Sequence, residues 1–177
     1  MNWLKNLIRN ICADMMKIHG VSCDIQADNV PRTDLETTKF KVDPPMEGDP
    51  DGFYVVADGS GVITIPNGRA GRYIVHAWIN WDGDEGDRAW TADDQKAGGF
   101  YSFVKCENAD GQPRWTSRDT AAAVPGLYKT FNHTLWEGQL NAGDTIEVFC
   151  QQNVIDHDQV EVRASGVLTV RRLGDLG

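Results

Sequence analysis

Asp82, Asp84 and Asp87 stand in the stretch Asp82-Gly83-Asp84-Glu85-Gly86-Asp87, with Asp93 and Asp94 close behind, and form the densest carboxylate cluster of the chain. Calcium takes about 6–8 oxygen ligands and favours clustered, adaptable carboxylates. The stretch therefore reads either as a calcium site on Asp82, Asp84 and Asp87 or as a solvated acidic loop. It is not an EF-hand loop, because Gly86 falls where an acidic ligand belongs and no Glu occupies the last ligand position. The other metal-binding residue types are dispersed. Asp156-His157-Asp158 offers donors, and His76 and His133 fall in strand-like segments, but four histidines spread along the chain give no zinc spacing. Cys12, Cys23, Cys106 and Cys150 form no CxxC pair and no zinc-ligand spacing, and two or more of them read as buried free thiols. Trp90 and Trp115 fall in segments read as loops. There they could stack on a sugar or anchor a protein interface, whereas core and subunit packing is the plainer use of such rings. The chain has no nucleophile elbow, no HExxH and no phosphate-binding loop, so nothing specific supports an enzyme.

Composition narrows the partners. The 177 residues carry 17 basic and 26 acidic side chains, a net charge of −9. Residues 1–20 hold Lys5, Arg9 and Lys17 against Asp14, so they are basic and the body is strongly acidic. An acidic body argues against nucleic acid, which needs clustered Lys and Arg to meet phosphates. No apolar run approaches the ~18 residues of a membrane span. No signal peptide is expected, since Lys5, Asn6, Arg9, Asn10 and Asp14 interrupt every candidate apolar core.

The elements that must position these residues change character along the chain. Leu4, Ile8, Ile11, Met15 and Ile18 recur at spacings of four and three residues, a heptad seam that predicts a helix over 1–20 ending at Gly20. It spans little more than two heptads. It is read as packing on its own or a neighbouring subunit's body, as a three-stranded bundle on an assembly axis, or as a membrane-surface helix. Residues 21–37 read as a polar linker. From about residue 38 the period becomes that of strands, over 39–42, 53–57, 61–65, 72–81, 100–106, 127–135, 145–151 and 160–173. Turn formers separate them, among them Asp58-Gly59-Ser60-Gly61 and Asn141-Ala142-Gly143-Asp144. Many strands without intervening helices predict an all-β sandwich or barrel over 38–174.

Three segments carry a resemblance. Gly61-Val62-Ile63-Thr64-Ile65-Pro66 leading into Gly71-Arg72-Tyr73-Ile74-Val75 resembles the paired strands that open the globular head of complement C1q. Leu140 to Val148 resembles that family's Leu-x-x-Gly-Asp strand signature, and Ser165-Gly166-Val167-Leu168 resembles its closing strand. The resemblance covers about residues 38–173 and implies an antiparallel jelly-roll sandwich of the C1q and tumour-necrosis-factor type. It also implies a homotrimer formed through one sheet, with apolar and aromatic side chains on the threefold axis. The chain departs from the family in having no Gly-X-Y stalk and in its acidic insertion at 82–99.

Taken together these features lead to the expectation of a trimeric, non-enzymatic virion structural protein of a bacteriophage. It would be made in the host cytoplasm and be a capsid decoration or head-fibre protein docked on other virion proteins by its N-terminal segment. The alternative is a C1q-like recognition module, a tail receptor-binding role included, that binds glycan or protein through exposed loops, with calcium as a possible cofactor.

Overall fold

The computed structural model describes residues 20–33, 36–45, 48–57, 60–83, 87–155 and 161–173. The expected N-terminal helix, with Leu4, Ile8, Ile11, Met15 and Ile18, lies outside these residues. Along them run β1 (Gly20–Ala27), β2 (Thr38–Lys39), β3 (Lys41–Val42), β4 (Tyr54–Ala57), β5 (Ser60–Thr64), β6 (Gly71–Gly83), helix α1 (Ala92–Ala97), β7 (Phe100–Glu107), β8 (Pro113–Ala121), β9 (Lys129–Leu140), β10 (Thr145–Gln152) and β11 (Val162–Arg172). The strands form two antiparallel sheets. The first has the order β3-β1-β11-β6-β9 and the second the order β4-β5-β10-β7-β8, with β2 also paired to β10. Two sheets facing one another bury the inward half of each strand, because successive side chains point to opposite faces.

β6 shows this plainly. Tyr73, Val75, Ala77, Ile79 and Trp81 are buried, while Arg72, Ile74, His76, Trp78 and Asn80 occupy the other face. From the second sheet Phe100, Val104, Cys106, Ile146, Val148 and Cys150 meet them across the core. Trp81 lies against Phe100, with ring centroids 4.9 Å apart.

Two strands were not expected. β1 occupies the start of the supposed linker 21–37, and it is an interior strand that pairs along its whole length with β11 and at its end with β3. Its inward residues Val21, Cys23, Ile25 and Ala27 are buried, and the polar Ser22, Asp24 and Gln26 point outward. The segment looked polar because half of every one-side-buried strand is polar. β8 is an edge strand of mostly polar residues and lacks an apolar alternation to announce it. The acidic insertion contains α1, whose N-cap Thr91 and third residue Asp94 form a reciprocal capping box.

Two glycines behave as their positions demand. Gly166 in β11 sits so close to β6 that a Cβ there would lie 1.8 Å from the Trp78 carbonyl oxygen. Gly143 has φ 85° in the turn between β9 and β10, where the Asp144 carboxylate accepts from the Asn141 N–H at 2.8 Å.

Candidate functional site

The site follows from an inversion in β9. Along this strand the polar residues Thr130, Asn132 and Thr134 are buried, and the residues between them, Phe131, His133 and Leu135, point to solvent. The buried polar groups are not left bare, as burial without partners costs about 1–3 kcal/mol each. Trp81 Nε1 donates to Asn132 Oδ1 at 3.0 Å. The Thr134 and Ser102 hydroxyls lie 2.6 Å apart, which ties β9 to β7 of the other sheet. Over residues 130–134 the inward face of β9 is thus a satisfied polar seam, and Phe131 and Leu135 remain outside.

These outward residues meet those of β6 and β11. Register places Trp78 opposite His133 on one side and Val167 on the other, and His76 opposite Leu135 and Thr169. Trp78 is 48% exposed, Phe131 52% and Leu135 60%. The rings touch. Trp78 stacks on His133 at 5.9 Å with 19° between planes, Phe131 meets Trp78 edge-on at 6.2 Å, and the His76 and His133 rings lie 5.5 Å apart. Beside them a depression of about 270 Å³ is lined by Ile74, His76, Leu135, Thr169 and Arg171. Arg72 and Glu137 form an exposed ion pair on the same pair of strands, with 2.6 Å between N and O. Single exposed apolar residues are ordinary, and a contiguous aromatic and aliphatic patch makes this face the candidate surface.

The free edge of β9 is guarded. The Asp119 carboxylate of β8 accepts from the His133 backbone N–H at 2.9 Å, and the Ser117 hydroxyl donates to the Leu135 carbonyl at 3.0 Å. Side chains thereby occupy edge groups that a foreign strand would otherwise pair with. The surface on offer is the face of the sheet rather than its edge.

The electrostatics of the face centre on His76. Partial burial first, and then the neighbouring His133, hold its imidazole below the ordinary value. At neutral pH the neutral ring is therefore favoured, and it adds to the apolar patch.

The residues singled out in the sequence land differently. Trp90 is 1% exposed and packs against Phe100 at 5.0 Å, so it is a core residue and not a ligand contact. Trp115 lies within β8, opposite Cys106, rather than in a loop, and its side chain is outside the described set. Asp82 is buried at the end of β6, 3.9 Å from Lys129 Nζ, while Asp87 is exposed and Asp84 lies outside the described residues. Asp94 pairs with Arg88 at 2.9 Å and Asp93 with Lys96 at 3.4 Å. Among the described residues no three His, Cys, Asp or Glu side chains come together as a metal site. His157 lies outside the described residues. Cys23, Cys106 and Cys150 are buried free thiols, as expected. No helix of the described residues is long and apolar enough to cross a membrane.

Sequence reasoning did not single out Phe131 and Leu135 as an exposed apolar pair. Their strand was expected, but alternation gives two faces without saying which is inside. The rule that the apolar face goes in points the wrong way here.

No protein-family model matches the sequence, and no curated protein matches it. Solved structures do match. The globular domain of zebrafish complement 1qA superposes with a TM-score of 0.50 at 9% identity, covering 87% of this chain and 98% of that one. The fold is a jelly roll of the C1q and tumour-necrosis-factor type. The Eiger TNF of S. frugiperda gives a TM-score of 0.47 at 11% identity, over 89% of this chain and 95% of that one. The jelly-roll segments read from the sequence now have places in it. Gly71–Val75 opens β6, an interior strand of the first sheet, Thr145–Val148 lies in β10, and Ser165–Leu168 lies in β11.

Proposed function

We propose that this protein is a non-enzymatic jelly-roll binding module that assembles as a homotrimer through the outer face of its first sheet. The observation that carries the reading is the inversion of β9, with Phe131 and Leu135 outside and Asn132 and Thr134 inside. Phe131 and Leu135 are about half exposed, so covering each gains about half of the roughly 1.5–3 kcal/mol of full burial, and a copy of the same face or a neighbouring edge set against it is favourable. The resemblance to C1q-type heads, which trimerise through one sheet, supports a second copy as the occupant. Replacing Phe131 and Leu135 together by Asp tests this. The double variant should remain folded, since both side chains point away from the core, and should run as a monomer; an unchanged oligomer would reject the face.

Within this reading the trimer serves on a virus particle, as a capsid decoration or head-fibre protein docked through residues 1–20. The heptad seam Leu4, Ile8, Ile11, Met15 and Ile18 and the contrast between basic segment and acidic body support that placement. Detection of the chain in purified particles, and its loss when residues 2–20 are deleted, is the expected result.

A second reading, recognition of a glycan or protein through an exposed loop, is favoured by the β8–β9 connection. Val124, Leu127 and Tyr128 are exposed there, on a loop held by the Trp90 N–H donating to the Leu127 carbonyl at 2.8 Å and the Gly126 N–H donating to the Trp90 carbonyl at 2.8 Å. A glycan or receptor array whose hits vanish with Tyr128→Ala would favour it.

A further inference from the structure

We propose that His76 and His133 make self-association through this face acid-labile, so that the assembly holds near neutral pH and separates as pH falls through the imidazole range. The inference rests on the self-association reading, because it concerns the regulation of that same face.

The geometry places a titratable pair in the middle of an apolar surface. His76 and His133 lie on adjacent strands with ring centroids 5.5 Å apart, and His133 is stacked on Trp78. Closing a second subunit over Trp78, Phe131 and Leu135 necessarily removes water from both imidazoles. Two charges this close, out of water, oppose one another, and the cost grows as the surroundings become less polar.

The charged groups around the pair are engaged with other partners or add positive charge. On β11 Thr169 stands opposite His76, and Arg171 lines the same depression, adding a further cation. On β9 Glu137 is engaged by Arg72 of β6. From β8 Asp119 accepts the His133 backbone N–H, and Arg118 lies over the Tyr101 ring. Asp82 and Lys129 approach each other at 3.9 Å at the far end of β6 and β9. Asp24 of β1 stands opposite Val167, with β11 between it and β6.

The sign follows. The assembled state binds fewer protons than the separated subunits, so association is complete above the imidazole pKa of the free subunit and is lost as pH falls through it. Because partial burial and then His133 hold the His76 imidazole below the ordinary value, the loss of association sets in below that value.

Sedimentation of the full chain in EDTA at pH 7.5 and 5.5, both above its isoelectric point of about 4.8, tests the inference. The wild type should dissociate at least several-fold more readily at pH 5.5. His76→Gln with His133→Gln should associate at pH 7.5 and change less than twofold between the two conditions. Circular dichroism of each sample checks folding, and His76→Gln alone, which leaves the Trp78–His133 stack intact, should remove much of the pH response if the pair does not fold. A wild-type assembly equally strong at both pH values overturns the switch and leaves self-association standing. A double or single variant that keeps the full acid response also overturns it. Wild-type protein that is monomeric at both pH values overturns the self-association reading itself, and this inference with it.

Discussion

Trp81 Nε1 donates to Asn132 Oδ1 at 3.0 Å inside the sandwich, and this bond fixes which way β9 faces. Trp81 belongs to β6 and Asn132 to β9, the edge strand of the first sheet. With Asn132 held inside, the side-chain period of two puts Phe131, His133 and Leu135 outside together. The exposed apolar face is therefore a consequence of a buried polar contact.

Replacing Asn132 by Leu leaves the Trp81 N–H without its acceptor. A loss of about 1–3 kcal/mol is expected, the cost of an unsatisfied buried donor. Urea unfolding of a monomeric background such as Phe131→Asp with Leu135→Asp measures it without interference from assembly. Wild-type stability in Asn132→Leu would show that the seam does not depend on this bond.

Gly166→Ala should be severe. Its Cβ would lie 1.8 Å from the Trp78 carbonyl oxygen, so β11 and β6 would have to separate. Overpacking of this kind costs about 1–3 kcal/mol and more where backbone must move. Because Trp78 and Val167 flank the contact, weakened assembly should accompany the lower thermal midpoint. A variant as stable and as oligomeric as wild type would contradict the strand spacing.

Asp94 should make the body sensitive to acid. Burial alone would raise its carboxyl, but the Thr91 N–H at 2.7 Å, the Thr91 hydroxyl at 2.9 Å and Arg88 outweigh that and hold it below the ordinary value. A depressed folded pKa contributes stability above the unfolded value of about 3.9 that is lost as pH falls through the folded one. Asp94→Asn should lower stability at pH 6, and the gap to wild type should narrow below about pH 4. A gap independent of pH would place the effect in packing alone.

The three described cysteines should be inert in the native protein. Burial pushes the Cys150 thiol far up, and burial followed by Asp49, Asp24 and Asp43 pushes Cys23 up to about 11. The thiolate is the reactive form, so a disulfide reagent at pH 8 should label none of Cys23, Cys106 and Cys150 in a Cys12→Ser background until denaturant is added. Rapid labelling of the folded protein would contradict their burial.

Much of the architecture was legible in the sequence. β6, β7 and β10 announce themselves by β-branched and aromatic residues between clear turn formers, and the close approach at Gly166 was foreseeable from a glycine inside a strand. β1 was hidden because Ser22, Asp24 and Gln26 mask the inward Val21, Cys23, Ile25 and Ala27. β8 was hidden because an edge strand needs little apolar character. The face was the least legible. Its aromatics are outside because Asn132 and Thr134 find Trp81 and Ser102 inside, and such pairing across about fifty and thirty residues leaves no local trace. Trp90 misled for the converse reason. It lies outside any strand and helix, yet the chain folds it into the core against Phe100.

The molar mass of the full chain at micromolar concentration and pH 7.5, measured by sedimentation equilibrium, tests the account most directly. The account predicts a mass of about three times the 19.6 kDa subunit, falling to a single subunit when Phe131 and Leu135 are both Asp. A wild-type mass of one subunit, with the fold intact, would contradict it.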